Sequence, residues 1–203
     1  MTDPSTSLRA GGLLIAFEGL DQSGKQTQAE LLRDRLGAAG RHAALLSFPD
    51  YGTPIGEEIE RALRGARNYA ADVMQLLYVA NRYEWRPEIE RRRSDGTILI
   101  CDRYLASSIA YGEAQGLDPG WLLEIQRYLP QPDITFLLDI APEVSARRKT
   151  EDRDRYERDL LLLGRVRDSY LRLAENSGWV HLRADRDRAL VAADVYAAVE
   201  RLL

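Results

Sequence analysis

The chain has 203 residues, with 28 Lys and Arg against 32 Asp and Glu and a formal net charge of −4. That length suits one sizeable core with at most a small insertion, and the acidic balance argues against generic nucleic-acid binding, which needs a basic excess. The single cysteine, Cys101, excludes an internal disulfide and suits a cytoplasmic setting.

Residues 1–12 are polar, carry no apolar stretch of the signal-peptide kind, and are expected to be a frayed tail ahead of a single domain over residues 13–203. No run of about 18 apolar residues follows, so no membrane span is expected. Strand-like apolar runs recur at Leu13–Phe17, Ala43–Phe48, Thr97–Cys101, Ile134–Asp139 and Trp179–Leu182. Between and after them, helical periodicity predicts helices at Gln26–Ala39, Thr53–Arg64, Ala71–Arg92, Leu105–Gln115, Gly120–Leu129, Pro142–Arg148, Arg158–Asn176 and Arg188–Leu203. Such alternation implies an α/β fold with a parallel sheet and helices on both faces, and ligands in these sheets sit beyond the carboxyl ends of the strands.

The run Phe17-Glu18-Gly19-Leu20-Asp21-Gln22-Ser23-Gly24-Lys25-Gln26-Thr27 lies where the first strand passes into the first helix. Two glycines and a lysine in that setting make a phosphate loop: backbone N–H groups converge on anionic oxygens, the helix N-terminus adds its dipole, and Lys25 adds charge. A Ser or Thr that would ligate Mg²⁺ normally follows the lysine, and Gln26 stands there instead. The metal is therefore expected to rely on waters, phosphate oxygens and a carboxylate such as Asp21 or Asp102.

Further along, Phe48-Pro49-Asp50-Tyr51 leaves the second strand, with Thr53 as an N-cap and Pro54 at the first helical position. Tyr51 is either a phosphate contact or an exposed loop tyrosine. Tyr78 and Arg82, four apart on one helix face, are either a base-holding pair or a core tyrosine above a solvated arginine. Asp102-Arg103 follows the third strand, where a carboxylate can face a metal and a guanidinium can clamp a phosphate; a surface ion pair is the alternative. Residues Arg147 to Arg158 carry six cations among four carboxylates and read as a mobile flap or as a solvated helix.

Together these segments resemble the thymidylate kinase family: Phe-Glu-Gly-x-Asp-x-x-Gly-Lys, the Phe-Pro turn, Leu-Leu-Tyr-x-Ala-Asn-Arg, Asp-Arg-Tyr-x-x-Ser, Leu-Pro-x-Pro-Asp and Arg-Tyr-Glu, over nearly the whole chain. The resemblance implies a P-loop NTPase-like fold with a five-stranded parallel sheet, a cytoplasmic homodimer, and transfer of phosphate from ATP to dTMP with Mg²⁺. It implies ATP contacts from Gly19, Leu20, Asp21, Gln22, Ser23, Gly24, Lys25, Gln26 and Thr27, with Arg148 and Arg186 flanking the adenine. Asp21 and Asp102 would hold the metal or its hydration shell, and Arg103 the phosphoryl group. Around dTMP it implies Asp21, Phe48, Pro49 and Tyr51, Tyr78 stacked on thymine, Arg82 on the base edge, Ser107, Ser108 and Tyr111 at the sugar, and Tyr156 from a lid over residues 149–157.

This chain lacks the arginine that many members carry after Phe-Pro, and has Gln22 where some have a phosphate-loop arginine. The lid is then expected to supply the cation, Arg153 first and Arg155 second. Two competing readings are another deoxynucleoside or nucleoside monophosphate kinase on the same scaffold, and a nucleotide-binding relative without activity.

Overall fold

A computed structural model of the chain describes residues 11–148 and 159–203. The elements in order are β1 Leu14–Glu18, α1 Lys25–Ala38, β2 Ala43–Ser47, α2 Pro54–Leu63, α3 Ala71–Ser94, β3 Ile98–Asp102, α4 Leu105–Ala114, α5 Pro119–Glu124, β4 Ile134–Asp139, α6 Pro142–Arg148, α7 Leu160–Ser177, β5 Val180–Arg183 and α8 Arg188–Glu200. The five strands form one sheet in the order β2-β3-β1-β4-β5, and every pairing is parallel.

The central strands read as continuous apolar runs because both faces are covered. Ile15 and Phe17 of β1 face a layer that includes Leu32 and Leu36 of α1, Val166 of α7 and Val195 of α8. Leu14 and Ala16 face the opposite layer, with Val79 and Ile89 of α3. Phe17 stacks on Phe136 of β4 with ring centroids 5.1 Å apart. Burying each such ring contributes about 1.5–3 kcal/mol. Cys101 is buried in the second layer, where burial pushes its thiol pKa up.

Four strands differ by one residue from the expected runs. β1, β3 and β5 start and end one position later, because Glu18, Asp102 and Arg183 are polar yet still sit in the parallel ladder, as the pairs Phe17↔Asp102 and Asp139↔Arg183 illustrate. β2 stops at Ser47, before Phe48. The helix expected over Gly120–Leu129 is regular only to Glu124; tight turns follow, closed by Gln126 N to Leu123 O and Leu129 N to Gln126 O, and deliver Leu129 to the core ahead of Pro130. Thr53 caps α2 as expected, its Oγ1 accepting from Gly56 N at 3.0 Å with Pro54 at the first position. At the end of the expected tail, Gly12 is held to α3: its N–H donates to the Arg93 carbonyl at 2.6 Å and its carbonyl accepts from Arg93 Nε.

The carboxyl ends of β1, β2 and β3 open on one side of the sheet, where β1 sends its chain one way and β4 lies on its other flank. That is the position at which parallel sheets bind ligands. Among the described residues no helix is long and apolar enough to cross a membrane.

Candidate active site

The loop from Gly19 to Gly24 joins β1 to α1, and its two glycines are needed for different reasons. Gly19 has φ 137°, and a Cβ there would lie 2.4 Å from the Leu138 carbonyl of the neighbouring strand. Its obstacle is the protein backbone. Gly24 has φ 94° with nothing within 4 Å of an added Cβ, and serves as the N-cap of α1 without a side-chain cap. Among the described residues the first N–H groups of α1 therefore have no side-chain acceptor at the cap, the condition under which a helix start binds an anion.

Lys25 opens α1, is only 5% exposed, and donates from Nζ to the Leu20 carbonyl at 2.8 Å. Burial, and then the Arg103 charge, pull its pKa down from 10.5 to about 8, against the pull of Asp102, Asp21 and Glu18. Gln26 turns its amide to Glu30 at 3.0 Å, along its own helix.

Arg103 follows β3 in the left-handed region at φ 63°, a conformation that non-glycine residues hold only where the surroundings impose it. Its Nη2 donates to Asp21 Oδ1 at 2.7 Å and to Tyr111 OH at 3.5 Å. Its Nη1 donates to the Gly19 carbonyl at 3.0 Å, Ser107 Oγ at 3.1 Å and Tyr170 OH at 3.2 Å. Tyr111 OH donates to Asp21 Oδ2 at 3.1 Å, so both Asp21 oxygens are occupied. Burial works against the Asp21 charge, but Arg103 and Lys25 more than offset it and hold the carboxyl well below the usual range.

Two cavities open from this point. The first is lined by Asp21, Phe48, Pro49, Tyr51, Leu63, Gln75, Tyr78, Arg82, Arg103, Ser107, Ser108 and Tyr111. Arg82 is buried, not solvated: its Nη1 donates to Ser108 Oγ at 2.8 Å, and its Nε has no hydrogen-bond partner among the described residues. Ser107 and Ser108 thus turn to different arginines. The second cavity takes in residues 21–28 of the loop and α1, together with Asp102, Arg148, Arg186 and Arg188. Arg148 bridges the Gln22 carbonyl at 2.9 Å and the Ala184 carbonyl at 3.2 Å, and Arg186 pairs with Asp194. Asp21, Phe48, Pro49, Tyr51 and Arg103 belong to both cavities.

Among the described residues no group of three or more His, Cys, Asp or Glu side chains is placed to hold a metal. One buried carboxylate oxygen, Asp102 Oδ1, lacks a hydrogen-bond partner among the described residues, and Asp102 lines the second cavity. A cation carried by phosphate oxygens and water fits that single free oxygen; Asp21, with both oxygens taken, fits less well as a ligand in this arrangement.

Asp50, which replaces the expected arginine, has a local duty. Its Oδ2 accepts from Trp85 Nε1 and its Oδ1 from Gly52 N, while Asn81 Oδ1 accepts from its backbone N–H. The loop after β2 is thereby tied to α3. Arg153, Arg155, Tyr156 and the lid expected over residues 149–157 lie outside the described residues. Three residues given no role of their own by the sequence join the site: Gln75, buried on the same α3 face as Tyr78 and Arg82, and Glu18 with Tyr170 behind Arg103. Gln75 had a signal in its spacing of three and seven residues from that pair, and Glu18 in its place at the carboxyl end of the first apolar run; Tyr170 had none.

The family model described as thymidylate kinase matches residues 17–195. The thymidylate kinase of Schizosaccharomyces pombe is 40% identical over 147 residues, covering 72% of this chain and 70% of that protein. That of Halothermothrix orenii is 37% identical over 204 residues, covering 95% and 98%. The solved structure of thymidylate kinase from Candida albicans superposes with a TM-score of 0.84 at 30% identity, covering 94% of this chain and 92% of that one.

Proposed function

The chain belongs to the thymidylate kinase family, and from that premise we propose that its two joined cavities hold dTMP and ATP with their phosphates meeting at Arg103. The reaction is phosphoryl transfer from ATP to dTMP, giving ADP and dTDP. The observation that carries this placement is the set of five residues common to both cavities, because in-line transfer needs donor and acceptor oxygens at one point.

In this reading the α1 amides and Lys25 grip the donor phosphates, and Arg148 and Arg186 flank the adenine. Tyr78 stacks on thymine, Arg82 donates to its edge, and Tyr111 presses on the sugar where a 2′-hydroxyl would sit. Tyr51 and Arg103 hold the acceptor phosphate in place of the missing loop arginine. Asp21 keeps Arg103 aimed, and Asp102 offers its free oxygen to Mg²⁺ or its waters. When bound, Mg²⁺ offsets charge on the donor phosphates. Each well-placed donor at the transferring group contributes roughly 2.7–4 kcal/mol to rate acceleration. The enzyme is further proposed to be a cytoplasmic homodimer acting on free nucleotides, with one kinase domain over residues 13–203.

The test is an acceptor panel with MgATP and a coupled ADP assay. dTMP should be turned over at least tenfold better than dUMP, dCMP, AMP or thymidine. Preference for any of those four assigns the chain to another acceptor class, and binding of both nucleotides without transfer makes it an inactive relative.

A further inference from the structure

Arg103 reaches the junction on a long side chain, and a guanidinium left to its own rotamers would lose much of its aim. What restrains it comes from three distant parts of the chain. Glu18 ends β1 with no solvent exposure; its Oε1 accepts from Tyr104 N at 2.8 Å and Ser107 N at 3.3 Å. Its Oε2 accepts from Ser107 Oγ at 2.7 Å and from Tyr170 OH at 3.1 Å. Tyr170, from the middle of α7, is buried and stands 2.9 Å from Ser107 Oγ and 3.2 Å from Arg103 Nη1.

Arg103 Nη1 donates to both hydroxyls, and both hydroxyls donate to Glu18 Oε2. A cation and a carboxylate then sit on opposite sides of a buried pair of hydroxyls, and each hydroxyl is polarised from both sides. Burial, and then the Glu18 charge, push the Tyr170 phenol pKa far up, so its proton stays in place at any working pH.

We infer that Tyr170 is a positioning residue for Arg103, acting with Ser107 and Glu18 to fix the guanidinium where the two cavities meet. This rests on the phosphate role given to Arg103 above. Tyr170 touches neither cavity and acts only through that side chain.

The test is a double-mutant cycle of Tyr170→Phe and Arg103→Ala. Tyr170→Phe removes one oxygen from a filled core site and should lower kcat five- to twentyfold, with the KM for ATP within twofold of the parent. In the Arg103→Ala background the same change should alter kcat by less than twofold. Parent-like kcat in Tyr170→Phe, or an equal loss in both backgrounds, overturns the inference. The cycle is repeated with calorimetric binding of dTMP, where Tyr170→Phe should weaken affinity three- to tenfold in the parent alone; equal weakening in both backgrounds again overturns it. A parent protein without dTMP turnover would overturn the functional reading, whereas the binding cycle still decides the role of Tyr170.

Discussion

Asp21 Oδ1 accepts from Arg103 Nη2 at 2.7 Å, and this ion pair stands among the five residues that both cavities have in common. A phosphate arriving there meets a guanidinium already desolvated and aimed, which reduces the reorganisation needed during transfer. It also meets a nearby carboxylate, whose repulsion must be outweighed by Lys25 and Arg103.

Arg103→Ala and Arg103→Lys should both reduce kcat, the first by roughly 10²-fold or more and the second by at least tenfold, because an ammonium cannot reproduce the planar fork. Steady-state kinetics at saturating ATP and dTMP provide the check. A loss below tenfold for Arg103→Ala would remove it from the transfer step.

The alkaline limb of kcat/KM for ATP should be set by Lys25. In the free protein it is charged below about 8 and neutral above, so kcat/KM should fall as pH rises through that value. Bound phosphate favours the ammonium, which moves the limb of kcat to higher pH, and Lys25→Arg should abolish the limb near 8. Stability should run the other way. The folded chain binds fewer protons than the unfolded one between about 8 and 10.5, so the Lys25 contribution to stability rises with pH across that window.

Tyr78→Ala should raise the KM for dTMP about 5- to 100-fold and leave the KM for ATP within twofold, since base stacking contributes about 1–3 kcal/mol. Tyr78→Phe should stay within threefold of the parent. Equal shifts in both KM values would place Tyr78 outside the base contact.

The two loop glycines should separate stability from function. Gly19→Ala meets the Leu138 carbonyl at 2.4 Å in a left-handed backbone and should cost about 3 kcal/mol, lowering Tm by roughly 6–12 °C. Gly24→Ala meets open space and should cost only about 1 kcal/mol, or roughly 2–4 °C. Its larger effect should be a weaker grip on ATP, read by calorimetry.

The order of elements was legible because buried parallel strands are short apolar runs and the intervening helices keep their own period. Strand ends were not: Glu18 and Asp102 look like loop residues by polarity, yet their backbones pair and only their side chains leave the core pattern. The phosphate loop could be picked out from local spacing, whereas spacing alone left Tyr78 and Arg82 open between a base-holding pair and a core tyrosine above a solvated arginine. Asp50 could not be interpreted, because its partner Trp85 lies 35 residues away on α3. Tyr170 was equally hidden, 152 residues from Glu18 and on a helix whose sequence reads as ordinary core.

Adjacent serines on α4 accept from two different arginines, Ser107 from Arg103 and Ser108 from Arg82. A helix advances about 100° per residue, so any twist of α4 must move the partners of both arginines together, and with them the base and phosphate contacts proposed for Arg82 and Arg103. Redesign of the pocket for a new pyrimidine should therefore leave α4 untouched and work from α3, where Gln75 and Tyr78 line the same chamber without holding Arg103.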